Sequence, residues 1–243
     1  MPRERVADKR ARASRIVAAL NAAYPHSTCA LDHDSPFQLL VATMMSAQTT
    51  DVKVNEATAE LFARWPTPEA LAEADVAEVG EAINSIGLWR NKAKNAVALS
   101  QMLVERHGGQ VPRTVEELTQ LPGVGRKTAT ATLGTAFDME VGITVDTHML
   151  RINRLLKLST KTDPDKMAAE LEKLLPAADW NHYTHLIIDH GRLVCVARRP
   201  RCGVCPLSPE CPSALDAKAG YKPEYDARIP ASAKGLSWKS RLR

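Results

Sequence analysis

Four cysteines fall within seventeen residues near the C-terminal end of the chain: Cys195, Cys202, Cys205 and Cys211, spaced C-x6-C-x2-C-x5-C. Four thiolates are a complete ligand set for one metal centre. A chain that uses them so must bring all four to one place, whatever the rest of it does. The spacing leaves the metal open between zinc and an iron–sulfur cluster. Zinc ribbons usually pair two close C-x2-C units, and here there is one such unit, which leans modestly towards iron–sulfur. The remaining cysteine, Cys29, is distant in sequence and reads as a small buried apolar residue.

Two further stretches carry chemistry. Leu121-Pro122-Gly123-Val124-Gly125-Arg126-Lys127 reads as a tight glycine turn opening a helix. Glycines admit backbone angles closed to other residues, and free amides at a helix start form an anion site. Arg126 and Lys127 stand in the first turn of that helix. Val145-Asp146-Thr147-His148 then supplies a carboxylate at the expected start of another helix, where an aspartate also serves as an N-cap.

The background is helical. Of the 243 residues 44% are hydrophobic but only 5% aromatic, so the core is built from Ala, Leu, Val and Ile. Periodicity and punctuation predict helices over 4–23, 51–64, 68–73, 75–84, 90–107, 115–120, 126–136, 147–156, 163–175 and 181–194. The apolar segment from Gln38 to Ser46 is too long for an alternating strand. Asp51 is placed to cap the helix it starts, and Thr114 with Glu117 forms a capping-box signature. His182, His185 and Asp189 share one helix face and read as interface or capping groups rather than a second metal site. No apolar run approaches the ~20 residues of a membrane span. Charge is uneven: residues 1–30 carry six basic and two acidic side chains, 31–112 six and eleven, 213–243 seven and three. The net charge of +4 is thus weak evidence for nucleic acid, and local patches must carry that argument. From residue 213 the pattern decays into a basic stretch expected to be a flexible tail.

LPGVGRKTA, VDTHMLRINR and HGRLVCVARRPRCGVCPLSPEC, with SAQTTDVKVNEAT at 46–58 and IGLWRNKAKN at 86–95, resemble bacterial endonuclease III, of the helix-hairpin-helix glycosylase superfamily. The resemblance spans about residues 10–212. It implies an all-α fold of two lobes. A six-helix barrel over 31–140 holds the hairpin at about 115–136. The N-terminal segment 1–30 joins 141–212 in a second lobe, which carries the cysteine loop 195–211. It implies a bifunctional DNA glycosylase and abasic-site lyase that removes oxidised pyrimidines from duplex DNA, acting as a monomer in the bacterial cytoplasm, associated with the nucleoid.

In this family the lysine matching Lys127 is the nucleophile and the aspartate matching Asp146 assists it. The four cysteines hold a [4Fe–4S] cluster. Gln48 matches the residue that enters the space left by a flipped nucleotide, and Leu88 the apolar wedge beside it. Gly123, Val124, Gly125, Arg126, Arg151, Arg198, Arg199 and Arg201 are the expected DNA contacts. An ordinary lysine titrates near about pH 10.4, so a nucleophile at this position asks for a desolvated cleft or a helix N-terminus. Thr130, Thr132, Met44 and Met45 depart from the residues common in the family. An adenine-specific mismatch glycosylase of the same superfamily is the nearest rival. It lacks the lysine, needs a glutamate in the segment matching Leu39–Gln48, which holds no carboxylate here, and usually adds a large C-terminal domain. A non-enzymatic iron–sulfur DNA-binding or redox protein would not need Lys127 and Asp146 together.

Overall fold

The computed structural model describes residues 4–214. The basic tail expected from 213 onward lies, from 215, outside the described residues. Among the described residues there are helices and no strand. They form two compact units, one made of Cys29–Val141 and the other of the chain up to Thr28 and from Gly142 onward.

The Cys29–Val141 unit contains α2 (Pro36–Met45), α3 (Asp51–Arg64), α4 (Pro68–Ala72), α5 (Val76–Ala82), α6 (Trp89–His107), α7 (Val115–Leu118) and α8 (Arg126–Phe137). Helix α2 runs through its middle, with Phe37, Leu39, Leu40, Val41, Ala42, Met44 and Met45 all buried. A helix apolar all round belongs in a core, which is why the Gln38–Ser46 run shows no amphipathic period. Its start is held by side-chain caps on either side of Pro36. Ser35 Oγ accepts from the Gln38 amide, Gln38 Oε1 accepts from the Asp34 amide at 2.8 Å, and Pro36 sits at the first helical position. Helices α3, α6 and α8 pack against α2, while α4 and α5 pack against α6. Asp51, expected as a cap, is instead the first helical residue after Thr50, where its charge still suits the positive end of the helix. Cys29 is half-buried at the edge of this core rather than inside it.

Helix α8 contains one defect. Thr132 is fully buried and its hydroxyl has no hydrogen-bond partner among the described residues. A stranded buried hydroxyl costs about 1–3 kcal/mol. Valine keeps the shape and removes the polar atom, so Thr132→Val is expected to stabilise the protein by about 1 kcal/mol, a rise in Tm of ~2–4 °C. A calorimetric scan in which Tm falls would show that the hydroxyl is satisfied in solution.

The other unit contains α1 (Val6–Ala23), α9 (Thr147–Leu155), α10 (Pro164–Leu171) and α11 (Trp180–Leu193), followed by short turns at Cys202–Val204 and Ser208–Glu210. Helix α1 buries Ala13, Ile16, Val17 and Leu20. It is also tied by charge to the end of the cysteine loop. Arg15 makes a two-pronged pair with Glu210 at 2.7 and 2.9 Å, and buried Arg12 donates to the carbonyls of Leu156 and Glu210 while pairing with Glu4 at 2.8 Å. The Arg12 hydrogen bond holds the Glu4 carboxyl below its usual range, as Arg15 does for Glu210. The polar stripe on α11 serves this packing: His182 Nε2 lies 2.6 Å from Asn21 Oδ1, and Asp189 accepts from the Ser27 hydroxyl at 2.7 Å. Helices α9 and α11 cross where Gly191 leaves room, since a Cβ there would stand 2.3 Å from His148 Nδ1. His148 is thereby a packing residue.

Candidate functional site

In the Cys29–Val141 unit, α7, a tight turn and α8 form a helical hairpin. Thr114 Oγ1 accepts from the Glu117 amide at 3.2 Å and donates to the Glu117 carboxylate at 2.5 Å, which starts α7 as the capping signature predicts. Amide-to-carbonyl bonds from Leu121 to Leu118 and from Val124 to Leu121 wind the turn. Gly123 has φ +77, and a Cβ there would meet Asn95 at 2.9 Å, so this position requires glycine twice over. Gly125 differs from expectation: its φ is −89, open to any residue, and an added Cβ would meet nothing within 4 Å. Val124 also differs. Its side chain is buried and its amide is taken by Leu121, so it closes the turn rather than facing outward.

Helix α8 begins at Arg126 without a side-chain cap and without an acidic residue in its first turn. Its leading amides have no acceptor within the helix, and the positive end of its dipole is exposed with them. Arg126 and Lys127, both exposed, stand in this first turn. The desolvation expected for Lys127 is not seen among the described residues, where its side chain is exposed.

Gln48 and Leu88 share an unusual backbone. Both are non-glycine residues with positive φ, 55 and 60. The other two such residues among those described, Asp138 and Lys157, follow the ends of α8 and α9, where a left-handed residue is a common way to stop a helix. Leu88 instead precedes the first residue of α6, with its side chain 58% exposed. An exposed leucine in a left-handed conformation costs about 1–2 kcal/mol of backbone strain and gains nothing from burial. Gln48 is exposed too. The two tips are neighbours: a Cβ on Gly87 would lie 3.9 Å from the Gln48 carbonyl oxygen.

In the other unit, Asp146 is the N-cap of α9. Its Oδ1 accepts from the Met149 amide at 2.7 Å, which fixes the carboxylate and leaves its second oxygen outside that bond. The four loop cysteines line a single cavity of about 160 Å³, with Ile152, Leu156 and Leu207 in its wall. All four are free and half-buried. Burial pushes the thiols of Cys195 and Cys211 up and that of Cys205 up to about 11. Burial thus favours the neutral thiol at these three positions, and a cationic centre is what would favour the thiolates. Sulfur-directed donors are already in place. The Leu207 amide donates to Cys205 Sγ at 3.4 Å, and Arg151 donates to Cys195 Sγ at 3.5 Å. His190, pushed down to about 4 by burial and then by the Arg151 charge, lies between the Tyr24 hydroxyl at 2.9 Å and Cys205 Sγ at 3.6 Å.

The arginines expected on DNA divide. Arg198 and Arg199 are exposed on the loop. Arg201 is half-buried and donates to the Leu193 carbonyl at 3.0 Å. Arg151 donates to the Cys195 carbonyl and lies against His148. The last two guanidiniums are directed inward, to hold the ends of the loop.

The sequence matches the HhH-GPD superfamily of base excision DNA repair proteins over residues 41–177. It is 48% identical to endonuclease III of Synechocystis sp. over 210 residues, 86% of this chain and 96% of that one. The chain belongs to the endonuclease III family. Endonuclease III of Bacillus subtilis is 44% identical, covering 77% of this chain and 86% of its own, and that of Escherichia coli 41%, covering 81% and 92%. A solved non-covalent endonuclease III–DNA complex superposes with a TM-score of 0.80 at 36% identity, over 88% of this chain and 99% of that one. A thermostable thymine-DNA glycosylase shares the fold at 22% identity and a TM-score of 0.72. The chain is therefore a base excision DNA repair enzyme with the all-helical helix-hairpin-helix glycosylase fold.

Proposed function

We propose that this endonuclease III family member excises oxidised pyrimidines from duplex DNA and then cuts the strand at the abasic site, working as a monomer at the bacterial nucleoid. The observation that carries the reading is Lys127 in the first turn of an uncapped, exposed helix that a glycine-tight hairpin presents. No helix among the described residues is long and apolar enough to cross a membrane.

The phosphate backbone is held at the start of α8, by the leading amides and Arg126, with Gly123 and Gly125 allowing close approach. Arg198 and Arg199 add phosphate contacts from the loop. Arg151 and Arg201 act one step back, bracing that loop. Gln48 and Leu88 fill the space left when the damaged nucleotide turns out of the stack. The neutral amine of Lys127 adds to C1′ of that nucleotide as the C1′–N bond to the base breaks, and the base leaves with a proton. The attached amine loses a proton and the C1′–O4′ bond opens, O4′ taking up a proton, to give an iminium; this makes a C2′ proton acidic, and its loss expels the 3′ phosphate oxygen and cuts the strand. Asp146, fixed by its cap bond, stabilises the positive charge that develops on the sugar.

Cys195, Cys202, Cys205 and Cys211 hold a [4Fe–4S] cluster. The fit rests on the cavity itself. Four sulfurs share it with an apolar wall of Ile152, Leu156 and Leu207, and the Leu207 amide and Arg151 are already directed at two of them, the kind of donor set a sulfur-ligated cluster uses. When bound, the cluster supplies iron–thiolate bonds that cross-link the loop. Iron content and the visible absorption of the purified protein report it independently of activity.

Borohydride reduction in the presence of an abasic duplex tests the reaction. A covalent protein–DNA adduct is expected, and excision across a lesion panel should favour oxidised pyrimidines. Tight binding with neither adduct nor excision would reduce the protein to a DNA-binding module.

A further inference from the structure

Lys92 is 4% exposed although it is a charged residue in the first turn of α6. That position opposes it twice. The helix start is the positive end of the dipole, and burial disfavours the ammonium, pushing its pKa down. No carboxylate is paired with it among the described residues. Its partners are instead the carbonyl oxygen of Ala47 and the hydroxyl of Thr49, each 2.8 Å from Nζ. These residues flank Gln48. The Lys92 backbone amide meanwhile donates to the Leu88 carbonyl at 3.0 Å. One residue therefore grips both exposed tips with left-handed backbones, and the close approach of Gly87 to the Gln48 carbonyl sets the tips beside each other.

We infer that Lys92 is a positioning residue that preforms the Gln48–Leu88 wedge, holding the loop at 46–50 against α6 before DNA arrives. The inference rests on the proposed wedge roles of Gln48 and Leu88. An ammonium suits this task because its three donors can hold a carbonyl and a hydroxyl on either side of one residue. Burial keeps water from competing for them. A strained loop tip held this way does not have to be ordered when the nucleotide turns out.

The test compares two duplexes carrying the same oxidised pyrimidine. In one it lies opposite a normal purine, and in the other opposite an abasic analogue, which leaves no orphaned base for a wedge to support. Single-turnover excision is measured for Lys92→Met, Gln48→Ala, the double variant and Thr49→Val, which removes one of the two side-chain bonds and leaves the lysine in place. On the paired lesion Lys92→Met is expected to lose about 10- to 100-fold and Thr49→Val about threefold. On the abasic-opposed lesion the Lys92→Met loss should shrink to within about threefold and Thr49→Val should match the wild-type rate. The double variant should be no slower than the slower single variant. Wild-type rates for Lys92→Met on the paired lesion, equal losses on both duplexes, or fully multiplicative losses in the double variant would each overturn the inference. If Lys92→Met misfolds, Thr49→Val decides by the same comparison of duplexes. Full activity of Gln48→Ala on the paired lesion would instead remove the wedge reading itself, whatever Lys92→Met does.

Discussion

Replacing Lys127 with alanine is expected to abolish borohydride trapping on abasic DNA and to slow base excision by about a thousandfold or more, ~4 kcal/mol of transition-state stabilisation. Binding should largely survive. The anion-facing groups at the start of α8 are backbone amides, which alanine retains, and alanine is the best helix former for an exposed first turn. At most one phosphate contact is lost, a change of about 0.9 in the salt slope of binding. Trapping, excision and salt-dependent affinity measured on one preparation separate these effects. An alanine variant that still traps at the wild-type level would show that another amine attacks C1′ and that Lys127 only binds phosphate.

Asp146→Asn separates charge from geometry. The Met149 amide bonds one carboxylate oxygen at 2.7 Å, and the asparagine carbonyl oxygen can accept the same bond. Asparagine caps as well as aspartate, so stability should change by less than about 1 kcal/mol, the value of the lost charge at a helix start. Turnover should nevertheless fall by about 100-fold or more, because a neutral amide does not stabilise cationic sugar. Asp146→Ala would lose both roles, adding about 1 kcal/mol of destabilisation. Unchanged turnover in the asparagine variant, with the alanine variant merely less stable, would leave Asp146 as a cap and nothing more.

Local chemistry made much of the fold legible. Helix α9 begins at Thr147 because Asp146 caps it, and α7 begins at Val115 because Thr114 does; both are written in short-range sequence. Pro36, Pro68 and Pro164 each stand at a helix start, where a missing amide costs nothing. Where expectation and structure part, the cause is mostly a partner that the local pattern does not show. Val124 looks like part of an outward turn until its side chain is seen in the core. Arg151 and Arg201 look like phosphate ligands until their guanidiniums are found on the carbonyls of Cys195 and Leu193. A charge in a basic loop carries no mark in the sequence of which way it points. Lys92 gave no such signal either, since its partners lie 45 and 43 residues away.

The sequence by itself determined the helical class, the hairpin with Lys127 in the first turn of its second helix, the Asp146 cap and the grouping of four cysteines, because each depends on residues within a few positions of one another. Only the tertiary structure decided which arginines face outward, that Gly123 rather than Gly125 is sterically required, and that four free thiols line one cavity. It alone set Gln48 beside Gly87 and Leu88 with a buried lysine holding both. Those features depend on distances between segments far apart in the chain. Such distances are set by the packing of α2, α6 and α8 in one unit and of α1, α9 and α11 in the other, and no local pattern of residues encodes them.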